Sequence, residues 1–197
     1  MAAQSLFERQ GYAATTMAAI AAEAGVALKT VYVAYETKSG LLRVLWHLLL
    51  RGDDGDVPMD RQRWYRELIE EPDPERQLRL MAHTSRVVKL RAAALMEVIR
   101  NAAPADPDIG ELWRRIQSEF YELQRDIVEV LDEKGALRPG LDAARAGDLL
   151  WTLNHPDVWQ LLVVQRGWTP EQYEQWFGDA VRRELLRPSA RSPRKAR

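Results

Sequence analysis

Apolar side chains recur at steps of three and four for most of this chain, and that spacing constrains the fold more than any other feature. From Ile109 they fall at Leu112, Trp113, Ile116, Phe120, Leu123, Ile127, Val130 and Leu131. Such a run places one continuous stripe on a helix. Two-residue alternation, the signature of a half-buried strand, is found nowhere at useful length. An all-α fold follows.

Helix boundaries are written in the same residues. Gly11 ends a short first helix containing Leu6 and Phe7. Thr16 caps a second, to Ala24, and Gly25 breaks it. A very short third fits Leu28 to Ala34, and Thr37 caps a fourth from Lys38 to about Leu50. Gly52 to Pro58 reads as a linker, because glycine and like charges favour open chain. Trp64, Tyr65 and Leu68 mark the next helix. Asp73-Pro74 and Asp106-Pro107 each pair an N-cap with proline in the first turn, opening two long helices. Asp142 caps another, Pro156 must kink or restart it, and Thr169-Pro170-Glu171-Gln172 is a capping-box start for the last.

The 197 residues can bury a substantial core. The absence of cysteine excludes disulfides, a thiol nucleophile and a Cys-ligated zinc site. No run of about 18 apolar residues exists, so no membrane span is expected. The start lacks the apolar core of a signal peptide, and a cytoplasmic location is expected. The net charge of −1 hides a partition: +2 over residues 1–51, +6 from Arg182 to Arg197, and −9 between. Such asymmetry hints at an anionic partner for one end.

Between residues 16 and 35 a capped helix, a glycine turn and a one- to two-turn helix follow one another. This is the layout of a helix-turn-helix, whose second helix enters the major groove. An ordinary αα-hairpin fits the same spacing. Ala18, Ala21, Ala22 and Ala24 allow close helix approach. Ile20, Val26 and Val31 form the inner face in this reading, leaving Leu28, Lys29, Thr30 and Val33 outward.

The residues Leu6, Phe7, Gly11, Tyr12, Thr15 to Ala21, Ala24 to Val26, Thr30 to Tyr32, Tyr35, Lys38, Leu41 and Leu42 together resemble the TetR family of transcriptional regulators. The resemblance covers most of residues 3–46 without a gap. The segment from Trp151 to Trp159 and that from Arg166 to Trp176 also look like the ending of many members, though less diagnostically. The resemblance implies an all-α homodimer. An N-terminal three-helix DNA-binding domain (1–50) precedes a larger helical ligand-binding and dimerisation domain (51–187), with a basic, disordered tail (188–197). It implies that Thr16, Tyr32 and Lys38 hold backbone phosphate, and that Leu28, Lys29 and Thr30 face base edges. Ala27 stands where Ser or Thr is common, Lys29 where glycine is frequent, and Ala34 where His or Asn is usual. The match begins in the second half of the family's first helix, so roughly two turns and any basic arm before them have no counterpart. Weaker DNA binding than in a full-length relative is expected.

The acidic body holds aromatics, methionines and a few polar groups suited to an apolar pocket for a small organic effector. The candidates are His83, Arg86, Met96, Trp113, Phe120, Trp151 and His155. Each also fits a structural role, in the core for the aromatics and on a paired surface for His83 and Arg86. His47, His83 and His155 show no metal spacing, so no metal and no cofactor are expected. No catalytic triad or glycine-rich phosphate motif is present, so no catalytic residues are assigned and the chain is not expected to be an enzyme. Two functions remain open. One is a repressor released from a pseudo-palindromic double-stranded DNA operator by its effector. The other is a dimeric small-molecule-binding protein with an impaired DNA-binding head.

Overall fold

The computed structural model describes residues 2–51 and 62–188. Its helices are α1 (Ala2–Ala14), α2 (Met17–Ala24), α3 (Leu28–Tyr35), α4 (Lys38–Arg51), α5 (Arg63–Glu70), α6 (Pro74–Ala102), α7 (Pro107–Glu133), α8 (Ala143–Leu153), α9 (Pro156–Trp159) and α10 (Pro170–Leu185). A π-helical segment, Gln160–Gln165, continues α9. Among the described residues there is no strand, only an isolated bridge between Leu137 and Leu186. No single helix there is long and apolar enough to cross a membrane. The expected linker at Gly52–Pro58 and the tail beyond Pro188 lie outside the described residues.

The punctuation residues act as their chemistry dictates. Gly11 breaks α1 with φ 79° and ψ 171°. The Thr16 hydroxyl accepts from the Ala19 N–H at 3.1 Å, and Gly25 takes the left-handed conformation after α2. One Asp106 oxygen accepts from the N–H groups of Asp108 (3.0 Å) and Ile109 (3.3 Å), starting α7. Thr169 and Gln172 form the reciprocal capping box of α10. Pro156 restarts the chain after α8, as proline must. One boundary differs from expectation. Helix α3 runs on to Tyr35, because Glu36 adopts a positive φ of 58° and sends its N–H to the Tyr32 carbonyl at 2.9 Å. No glycine marks that stop in the sequence.

The chain packs as two compact units that do not follow chain order: residues 1–62 with Val87–Glu119, and Arg63–Arg86 with Phe120–Arg197. In the first unit, Leu6, Phe7, Ile20, Val31, Leu41, Leu42 and Trp46 from the four N-terminal helices share one core with Leu95 and Ile99 of α6 and Ile109, Leu112 and Ile116 of α7. Phe7 and Leu42 are fully buried there. In the second unit, Leu78, Ile127, Leu131, Leu150, Tyr173, Phe177 and Val181 are buried. Tyr173 stacks with Phe177 and meets Trp159 edge-on, with centroids 5.8 and 5.0 Å away. The Gly178 position faces the Ala82 Cβ closely, at 3.5 Å from where its own Cβ would stand.

Truncating Leu42 should therefore cost far more than truncating the exposed Val44, two residues on and on the opposite face of α4. Leu42→Ala is expected to lower unfolding stability by about 2–5 kcal/mol, through lost transfer energy and a cavity. Val44→Ala should stay within about 0.5 kcal/mol. Urea unfolding followed by circular dichroism measures both.

Candidate nucleic-acid interface

Of the α3 side chains, Val31 alone is buried. Leu28, Lys29, Thr30, Tyr32 and Val33 are all exposed, Leu28 at 41% and Tyr32 at 48%. This exposed set contains the outward residues read from the sequence. Val26 departs from that reading: it is exposed rather than on the inner face. Its N–H bonds the Ala21 carbonyl at 3.0 Å to close the turn after Gly25, which leaves its side chain on the outside of the elbow. Ile20 and Val31 do form the inner face, both nearly fully buried. Thr16 sits exposed at the start of α2, its oxygen engaged as the cap.

Lys38 is the least expected member. Its ammonium donates to the carbonyl oxygens of Tyr12 (2.8 Å) and Thr15 (3.0 Å). It also stands 4.1 Å from the centroid of the Tyr12 ring, in cation–π geometry. It thus closes the end of α1 against the start of α4. Burial pulls its pKa below the ordinary lysine value, opposed by the Asp106 charge. The Tyr12 hydroxyl donates to the second Asp106 oxygen at 2.8 Å, and the Ser39 hydroxyl to Asp108 at 3.0 Å. The first turn of α7 therefore fastens both α1 and α4. Burial first, and then the hydrogen bond to Asp106, push the Tyr12 pKa well above the tyrosine range. The sequence carried no local signal for these bonds, since Tyr12 and Asp106 are 94 residues apart.

The proposed effector residues fall into separate places. Met96 and Trp113, half-buried, pack on the core of the first unit. His83 and Arg86 converge on Glu174 of α10. The His83 ring nitrogen is 3.3 Å from that carboxylate, Arg86 binds its other oxygen, and Arg86 also pairs with Glu171 at 3.5 Å. In the second unit, Trp151 meets His155 edge-on at 4.9 Å and Tyr121 at 6.4 Å. The Phe120 carbonyl accepts from Gln124 at 3.2 Å. Among the described residues, the buried Trp151 indole N–H has no hydrogen-bond partner. A cavity of about 480 Å³ is lined by residues including Arg138, Leu141, Arg145 and Asp148. A second, of about 290 Å³, is lined by residues including Arg79, Glu174, Asp179 and Arg182. Neither is lined by any of the seven candidates.

A buried polar chain beside the aromatics escaped the sequence reading. The Ser85 hydroxyl donates to the Asn154 side-chain oxygen at 2.6 Å, and the Asn154 amide donates to Gln124 at 3.2 Å. Gln124 is fully buried, and Ser85 and Asn154 nearly so. Burial raises the neighbouring Tyr173 hydroxyl's pKa far above its usual value, and Ser85 hydrogen-bonds it. A signal did exist. Ser85 and Gln124 occupy positions of the apolar stripes of α6 and α7, where a polar residue must find a partner.

The architecture is that of a helix-turn-helix head built into a larger helical body. Residues 1–45 match the family model described as bacterial regulatory proteins, tetR family. No relative among curated proteins matches the sequence. Similar solved structures include SmeT in its triclosan complex, with a TM-score of 0.73 at 19% identity, covering 98% of this chain and 92% of that one. NalD of Pseudomonas aeruginosa, described as the secondary repressor of the MexAB-OprM multidrug efflux pump, gives 0.70 at 20% identity over 94% and 92%. PfmR of Thermus thermophilus, a TetR family transcriptional regulator, gives 0.67 at 20% over 94% and 97%. The N-terminal domain is thus that of the tetR family, and the chain as a whole has the fold of TetR-type transcriptional regulators.

Tyr12→Phe should lower stability by about 1.5–3 kcal/mol, the range for a hydrogen bond to a charged group. The alkaline branch of the stability profile should change as well. With its pKa raised by folding, Tyr12 contributes fully below its unfolded value of about 10, and that contribution is lost as pH climbs above it. Urea titrations between pH 7 and 11 should therefore show a shallower alkaline loss in the variant than in the wild type.

Proposed function

We propose that this protein is a ligand-responsive transcriptional regulator, a repressor that leaves a pseudo-palindromic operator when a small organic effector binds. The observation that carries the reading is the outward face of α3, which exposes Leu28, Lys29, Thr30 and Tyr32, together with the exposed, capped start of α2. In this reading Lys29 donates to guanine O6 or N7, and Leu28 or the Thr30 methyl touches a thymine methyl. Thr16 and Tyr32 hold phosphates and set affinity more than sequence preference. An ammonium has three N–H donors, so the two carbonyl bonds of Lys38 leave one for a phosphate oxygen.

A two-fold dimer supplies the second recognition helix. Leu161 and Val164, exposed at 52% and 63% on the π-helical segment, are the apolar surface a second copy would cover. The body supplies the effector response. The unpartnered Trp151 N–H among Tyr121 and His155 offers a donor and aromatic faces, and a structural neighbour of the same fold holds triclosan. The division of labour follows as head (1–50) and body (51–187). For release to occur, the effector must favour the arrangement that does not fit DNA.

Binding to DNA from upstream of the protein's own gene, titrated across salt, tests the reading. A specific complex should form, with log K falling by about 0.9 per phosphate neutralised for each unit of log salt. Lys29→Ala should cost about 1–3 kcal/mol at one guanine position. Light scattering should give the mass of two chains, dropping to one in the Leu161→Asp/Val164→Asp variant. Failure to bind any upstream sequence specifically would instead favour a dimeric small-molecule-binding protein whose head no longer reads DNA.

A further inference from the structure

The outward face of α3 has an unusual composition. Its eight residues, Leu28–Tyr35, contain no Asn, Gln, Arg, Asp or Glu. These are the side chains that read adenine, guanine or cytosine edges by paired or accepted hydrogen bonds. Apart from Lys29 and Thr30, what the helix exposes is apolar. Val33 is 76% exposed, the most of any large apolar side chain among the described residues. A surface valine costs solvation unless something covers it, and the same helix also exposes Leu28 and Tyr32.

Helical geometry places Val33 where a groove would meet it. At about 100° per residue, Lys29 and Val33 both lie about 160° around the axis from the buried Val31. They stand one turn apart at the pole opposite the core, with Thr30 and Tyr32 on the flanks. Leu28 lies only about 60° from Val31, nearer the core side, and its lower exposure of 41% agrees. The sequence resemblance had put Leu28, not Val33, among the base-facing residues.

We propose that Val33 is a specificity-determining residue, and that it reads the C5-methyl group of thymine in the major groove, one helical turn from the base contacted by Lys29. The thymine methyl is the one apolar group that the major-groove edge of a standard base pair presents. Valine offers no hydrogen bond, so covering that methyl is the discrimination open to it. Sequence preference in this protein then rests chiefly on the positions of thymine methyls, with Lys29 as the one cation of the helix. The inference depends on the DNA-binding reading above and specifies its chemistry.

Deoxyuridine provides the test, since it pairs as thymine does and lacks only the methyl. Once a specifically bound upstream fragment is in hand, each thymine of one half-site is replaced in turn, and affinity is measured by fluorescence anisotropy. At one thymine the wild type should lose about fourfold, the worth of one buried methyl-sized group. Val33→Ala should bind the thymine operator more weakly and lose nothing further on that replacement. Lys29→Ala, the control on the same pole, should keep the full deoxyuridine penalty. Specific binding that is indifferent to deoxyuridine at every thymine overturns the proposal. So does an equal penalty in Val33→Ala and wild type. These outcomes differ from an absence of specific binding, which would remove the DNA-binding reading itself and the proposal with it.

Discussion

A head of three short helices has too little apolar surface to order itself, and the rest of the first unit follows from that shortage. Helices α1 to α3 supply Leu6, Phe7, Ile20 and Val31, and α4 adds Leu41, Leu42 and Trp46. The core closes only with Leu95 and Ile99 from α6 and Ile109, Leu112 and Ile116 from α7. The recognition helix can therefore bury a single residue and leave nearly all its surface for a partner. Its position is held by its neighbours more than by its own contacts.

The same borrowing appears in the polar contacts. Asp106 uses one oxygen to cap α7 and the other to accept the Tyr12 hydroxyl. Tyr12 in turn offers its carbonyl and its ring to the Lys38 ammonium. A carboxylate, a phenol and an ammonium so arranged satisfy one another at partial burial, where each alone would carry a desolvation cost. Lys38 is thus both a fastener of the head and, in the reading proposed, a phosphate contact. The first turn of α7 is linked to that lysine through Tyr12.

Much of the local structure was legible in the residues. Thr16, Gly25, Asp106, Asp142, Pro156 and Thr169 mark boundaries because capping and backbone preference act within a few residues. The stripe from Ile109 to Leu131 predicts a helix over the region where α7 runs. The outward set Leu28, Lys29, Thr30 and Val33 followed from the period of α3. Val26 did not, because a turn residue has no helical period to place it. The stop at Glu36 did not either, since a positive φ on a glutamate leaves no mark in the sequence. Ser85 and Gln124 stood in view as polar interruptions of apolar stripes, but their meeting through Asn154 required the packing of α6, α7 and α8.

The sequence by itself thus determined the helical class, the caps, the helix-turn-helix order and the residues α3 presents. These depend on interactions between near neighbours, which composition and spacing encode. Tertiary structure alone decided that the head shares its core with α6 and α7 and that Lys38 turns inward to carbonyls. It alone decided that His83 and Arg86 meet at Glu174. Contacts between residues tens of positions apart depend on how whole helices pack, and no local pattern records that.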